Sequence, residues 1–209
     1  MSTINSGVCL QCKQEVQYRS IVKHLNECLE KDTKTASDKE KIFLVKVHDV
    51  GNLFWLFIEI NDSSTLETLD AFLRKTWLEC CDHMSEFDIK KETYSSDGEM
   101  GKVIHRIFDV GDEFKYAYDF GSTTNLKGKV ISVRPGRLPK NIRLLARNNL
   151  PADVKCTTCE EYPEVICSVC YDFCCEKCKK EHNACEGEEF LLPVVNSPRM
   201  GVCGYTGEA

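Results

Sequence analysis

The chain has 209 residues, a formal net charge of −6, 42% hydrophobic and 29% charged residues. This is the profile of an ordinary soluble globule, and no run approaches the roughly 18 apolar residues that a membrane span needs. Fourteen cysteines are the departure from ordinary usage, and because Met1 to Ser6 lacks the basic region and apolar core of a secretory signal, the expectation is a reducing, cytoplasmic setting in which paired cysteines bind metal rather than bridge.

In chain order, 1–30 is expected to be a small finger. Cys9 and Cys12 form a CxxC knuckle, and His24 and Cys28, four apart, stand one above the other on a helix, so the four can grip one ion. Residues 19–29 supply that helix, with Ile21, Leu25 and Leu29 on one stripe. The ending His24-Leu-Asn-Glu-Cys28-Leu29 resembles the ubiquitin-binding zinc fingers of DNA-repair proteins, which end H-L-D-x-C-L. Asn26 stands where that family carries the acidic residue that contacts ubiquitin. A generic ββα or knuckle finger needs only the four ligands and the stripe. Residues 31–41 read as a polar linker.

From 42 to 150 the pattern predicts a largely antiparallel α+β domain with one main amphipathic helix. Residues 42–48 and 53–60 are β-rich runs around a hairpin loop. Ser64 and Glu67 form a candidate capping box for a helix over 65–80, along which Leu66, Leu69, Leu73, Trp77 and Cys80 recur. Further strands are expected at 86–90, 103–109, 113–119 and 126–134, with Asp119 and Gly121 making a turn. Trp55, the stretch Thr65-Leu66 to Trp77, Leu78-Glu79-Cys80-Cys81-Asp82-His83-Met84-Ser85-Glu86-Phe87 and Tyr118-Asp119-Phe120-Gly121 resemble the plasmid pRiA4b open-reading-frame family, also called transposon-passenger-like. That resemblance implies an α+β fold without a settled activity. Within it, Cys80, Cys81 and His83 are the one candidate nucleophile-and-base set, with no third group to orient them.

The stretch 120–152 carries no acid and seven bases: Lys127, Lys129, Arg134, Arg137, Lys140, Arg143 and Arg147. These are candidate nucleic-acid contacts, running through a Pro/Gly-rich turn into a short helix, or else a solvated face or an internal partner for the acidic end. Residues 151–187 hold C-x2-C-x7-C-x2-C-x4-C-x2-C-x3-H-x2-C. Pairs one and three (Cys156, Cys159, Cys175, Cys178) and pairs two and four (Cys167, Cys170, His182, Cys185) can hold two ions in a cross-brace. The interleaving resembles B-box fingers and, more weakly, the MYND type. Cys174 competes with Cys175 for one position. Residues 188–209 form a tail in which 190–195 is extended and packs back onto a larger surface.

The expectation is therefore a non-enzymatic interaction or adaptor protein with three structural Zn²⁺ ions, no open metal position and a protein partner. Its alternative is a binder of RNA or the ribosome through 127–147. Ten ligand thiolates around three Zn²⁺ would bring the net charge to about −10.

Overall fold

The computed structural model describes residues 6–30, 39–151, 154–182, 185 and 190–207. Most of the expected linker, 31–38, lies outside them. The element order is β1 (Ser6–Cys9), β2 (Glu15–Gln17), α1 (Ile21–Leu29), β3 (Lys41–Asp49), β4 (Trp55–Asn61), α2 (Leu66–Leu73), β5 (Ser85–Ile89), β6 (Glu92–Ser95), β7 (Glu113–Tyr118), β8 (Thr124–Pro135), β9 (Ile142–Asn148), β10 (Val165–Cys167), β11 (Phe173–Cys174) and β12 (Leu191–Pro193). The architecture is α+β and antiparallel. Nine strands form one sheet in the order β2-β1-β9-β4-β3-β8-β7-β5-β6, and β11-β10-β12 form a second.

Strand β4 shows why the large sheet carries a core on both faces. Every one of its residues is buried, which a sheet covered on one side would not allow. Leu56, Ile58 and Ile60 point into the cluster with Leu66, Leu69, Leu73 and Trp77 of the α2 region. Trp55 and Phe57 point the other way, where Ile21, Leu25 and Leu29 of α1 cover them together with Cys9 and Val16. The N-terminal finger is thus the second cover of the sheet. It also extends it, because Gly7, Val8 and Cys9 pair with Asn148, Arg147 and Ala146. Gly7 permits this approach: a Cβ there would stand 2.2 Å from the Arg147 carbonyl oxygen and 2.4 Å from the Trp55 ring.

Four local expectations are corrected. The helix begins at the cap Thr65, whose hydroxyl accepts from Thr68 N–H at 3.3 Å, not at Ser64. It leaves the α register after Leu73 for a π-helical turn, Arg74–Leu78, closed by Glu79 N–H donating to Arg74 C=O at 2.8 Å. Cys80 is therefore off the helix. Residues 103–109 are not a strand but contain a 3₁₀ turn at Ile104–Arg106, since Ile104, Ile107 and Phe108 are buried at helical spacing. The short helix expected after the Pro/Gly-rich turn of the basic run is instead β9, paired with β4 on one side and, at 146–148, with β1 on the other. Its Leu and Arg residues favour helix, and pairing on both edges overrides that preference. Strand β6, outside the expected strands, forms a hairpin with β5.

The C-terminal cysteine-rich module is built on β10 and β11. Its third strand is β12, from the tail, so that Val165, Ile166 and Cys167 pair with Pro193, Leu192 and Leu191. The extended segment at 190–195 completes this small sheet. Beyond it the tail returns to the central domain: Ser197 Oγ donates to the Trp77 carbonyl at 2.6 Å, and Arg199 is fully buried.

Candidate metal centres

Three CxxC segments fold into the same knuckle. Cys9, Cys156 and Cys167 each accept, through their carbonyl, the N–H of the residue four further on: Lys13 (2.7 Å), Glu160 (3.0 Å) and Tyr171 (2.9 Å). Each also donates its own N–H to the carbonyl five further on, in Gln14, Glu161 and Asp172. Lys13, Glu160 and Tyr171 all have positive φ, between 62° and 65°. A left-handed backbone at a side-chain-bearing residue costs on the order of 1 kcal/mol, and it turns both thiols of each knuckle to one side.

The partners arrive from elsewhere in each fold. Helix α1 sets His24 and Cys28 one turn apart, against Cys9 and Cys12. In the C-terminal module Cys175 follows β11, Cys178 opens the 3₁₀ turn Cys178–Glu181, and His182 follows that turn. In all three sets, Cys9/Cys12/His24/Cys28, Cys156/Cys159/Cys175/Cys178 and Cys167/Cys170/His182/Cys185, the four donor atoms lie within 4.8 Å of one another. The two C-terminal sets interleave. Cys175 takes the third-pair position, while Cys174 is buried in β11.

The spacing of the donors fits Zn²⁺. A tetrahedron with Zn–S near 2.3 Å and Zn–N near 2.05 Å has edges of about 3.8 Å between sulfurs and about 3.6 Å between sulfur and nitrogen. Cys159 to Cys175 is 3.6 Å, Cys178 to Cys159 3.7 Å, Cys170 Sγ to His182 Nε2 3.6 Å and Cys12 Sγ to His24 Nε2 3.3 Å. All described cysteines are free thiols, and sulfurs 3.6 Å apart are far beyond the roughly 2.05 Å of a disulfide.

Crowding shares the thiol protons unequally. The Cys175 N–H leads a set of backbone donors that lowers Cys156 to about 6, while hydrogen bonds with the Cys159 and Cys175 thiols push Cys178 up to about 12. Burial raises Cys170 to about 12, whereas at Cys167 the N–H groups of Cys170 and Val169 outweigh burial and bring it to about 6. Four such thiols ionise together only when a cation supplies the opposing charge, and the protons leave as it binds.

A fourth group of the same chemistry lies outside the fingers. Cys80, Cys81, His83 and Cys203 also bring their donor atoms within 4.8 Å of one another. Cys203 was not among the sequence-derived candidates. Only Cys-Cys-x-His is visible locally, and the last donor comes 120 residues later. Read as a nucleophile and base, Cys80, Cys81 and His83 have one carboxylate beside them, Asp119 Oδ2 at 3.6 Å from His83 Nε2. The thiol 3.3 Å from His83 Nε2 is that of Cys203.

The basic stretch is dispersed. Arg134 and Arg143 both bond the buried carboxylate of Glu59, the former at 2.6 Å. Arg137 pairs with Glu40 (2.6 Å), Lys129 with Glu113 (2.8 Å), and Arg147 donates to the Asn196 carbonyl (3.2 Å). Lys140 is exposed. Lys127 and Lys129 line an open groove of about 730 Å³ shared with Lys46, Lys91 and Lys115. Glu59, Glu40 and Glu113, the acids that meet this stretch here, belong to the central domain and its border.

No family model matches the chain, and no curated protein matches it. Among solved structures it is similar to a protein of unknown function, MM3350 from Methanosarcina mazei Go1, with 18% sequence identity and a TM-score of 0.44, covering 51% of this chain and 67% of that one. Among the described residues no helix is long and apolar enough to cross a membrane.

Proposed function

We propose that the protein is a non-enzymatic, zinc-binding interaction protein of a reducing compartment, with a pRiA4b-like α+β scaffold that displays finger surfaces to a protein partner. The observation that carries this reading is the closure of the three knuckle-based sets. Each offers four sulfur or nitrogen donors and leaves no position for a substrate, as structural zinc sites do and catalytic ones do not. The N-terminal finger adds rigidity, since α1 is cemented to Trp55 and Phe57.

Metal analysis of protein purified under reducing conditions tests the first half: three or more zinc ions per chain are expected, and fewer than three would overturn it. Affinity purification from the native cell, with and without nuclease, tests the second. A partner retained after nuclease is the expected result, and loss of every partner on nuclease treatment refutes the adaptor role.

One observation favours a second reading. The lysine groove offers five cations with Asp88 and Glu113 as its acids, a surface suited to a polyanion such as RNA. Salt-dependent RNA binding that weakens in Lys115→Ala/Lys127→Ala would establish it, and unchanged binding would remove it.

A further inference from the structure

We infer that Cys80, Cys81, His83 and Cys203 form a fourth zinc site, which fastens the C-terminal tail to the central domain. This inference concerns a donor set apart from the three knuckles and stands whether or not the protein is an adaptor. Three thiols and one imidazole make the same donor chemistry as the N-terminal set, and here too all four donor atoms lie within 4.8 Å of one another. Their placement differs. Cys80, Cys81 and His83 lie in the loop between the π turn and β5, whereas Cys203 sits on a turn of the tail with Gly201 and Gly204 beside it.

The chain holds both segments in unusual backbone to bring the donors together. Asp82, between Cys81 and His83, has φ 57°, and Cys203 itself has φ 50°. Glu79 accepts the Asp82 N–H at 2.6 Å, and Arg74 bonds both Glu79 (2.6 Å) and Asp82 (2.5 Å), so the loop is clamped from its helix side. Residues forced into sparse conformations and held there by surrounding contacts are a mark of a site.

A second tier of contacts supports the donors. Arg199, fully buried, directs Nε and a terminal N–H to Cys80 Sγ at 3.4 and 3.3 Å, and bonds Asp119 at 2.6 Å. Asp119 acts on the set through Arg199, since its Oδ2, 3.6 Å from His83 Nε2, approaches the same ring nitrogen that faces Cys203 Sγ. A cation donating to a ligand sulfur favours its thiolate form, and a residue that orients ligands from behind is the usual companion of a metal site. The four donors leave no open position, so the role is structural. Cys81 and Cys203 are exposed, and an ion can enter from solvent. The bound ion would close a loop of 120 residues at one point, and because β12 lies in the same tail segment, it would tie the double-zinc module to the α+β domain.

The test is the zinc content of the full chain, prepared under reducing conditions, compared with Cys203→Ser, Cys81→Ser and, as a control at the N-terminal set, Cys12→Ser. Four equivalents are expected in the wild type and three in each variant, with β-sheet circular dichroism retained in the two exposed-cysteine variants. Trypsin provides an independent readout, because Arg199 is the single tryptic position after residue 180: cleavage there should be slow in the wild type and accelerated in Cys203→Ser. Equal zinc content in wild type and Cys203→Ser overturns the site, as does a Cys81–Cys203 disulfide in the reduced preparation. A wild type with three ions that falls to two only in Cys12→Ser would sink the fourth site and leave the three-site reading standing. A wild type with fewer than three would sink the latter, and the difference caused by Cys203→Ser would still decide the former.

Discussion

Arg199→Met should be among the most destabilising single changes outside the ligand sets. The guanidinium has no exposed surface, and it serves Asp119 (2.6 Å), the Thr124 hydroxyl (3.0 Å) and the Ser122 carbonyl (3.2 Å), with its carbon 4.8 Å from the centre of the Tyr118 ring. Methionine fills much of the volume but leaves the Asp119 carboxylate, itself only 5% exposed, without its cation. Breaking such a pair from one side costs about 3–5 kcal/mol, against less than about 1 kcal/mol for a surface pair. For a chain of this size that corresponds to a melting-point drop of roughly 10 °C. Urea denaturation of the zinc-saturated protein measures it, and the double change Arg199→Met/Asp119→Asn should recover a large part of the loss, a coupling of about 1.5 kcal/mol or more. Arg199→Lys should rescue little, because an ammonium group cannot span acceptors on three residues. A loss under about 1 kcal/mol for Arg199→Met, or no coupling to Asp119, would refute the account of the tail as anchored by this residue.

The same pair sets an acid limit. The Arg199 hydrogen bond holds the Asp119 carboxyl at about 2, below its ordinary 3.8, so its contribution is full above about pH 3.8 and disappears as pH falls through about 2; the gap between wild type and Asp119→Asn in acid titrations should close over that window, and a gap constant down to pH 2 would contradict it. Gly128→Ala should cost about 1–3 kcal/mol, because its Cβ would stand 2.0 Å from the Phe114 ring, which is stacked on Phe108 and wedged against Phe87. Phe114→Leu in the same chain should return part of that in thermal melts, and a neutral Gly128→Ala would show that the ring is not fixed. Zinc affinity of the C-terminal module should rise with pH and release protons, since thiols such as Cys178 are pushed up to about 12 without an ion; proton-neutral binding by calorimetry in buffers of different ionisation enthalpy would contradict this.

What the sequence reveals depends on how far apart the cooperating residues lie. The knuckles and the His24/Cys28 pair are local, and their ligand spacing can be read directly. The α2 stripe is also local, from Leu66 to Trp77. Strand β9 is not: Ile142, Leu144 and Leu145 look helical until β4 pairs along this segment and β1 joins its far end, and β1 lies about 140 residues upstream. The basic run misleads for the same reason, because Glu59 of β4, the partner of both Arg134 and Arg143, is absent from the local sequence. Cys203 carries no local signal at all. The unbroken apolar run 53–58, which opens β4, does hold a hint, since a strand covered on one face alternates and this one does not.

The docking of β1 on β9 has a consequence for solution behaviour. A nine-stranded sheet ends in two edges, and here both are minimal: β2 has 3 residues and β6 has 4. Without the finger the border would be β9, a 7-residue strand whose unpaired N–H and C=O groups would offer a template to another chain. The N-terminal finger therefore covers a strand edge as well as a sheet face: its displacement would bare a seam along which copies of the protein could join.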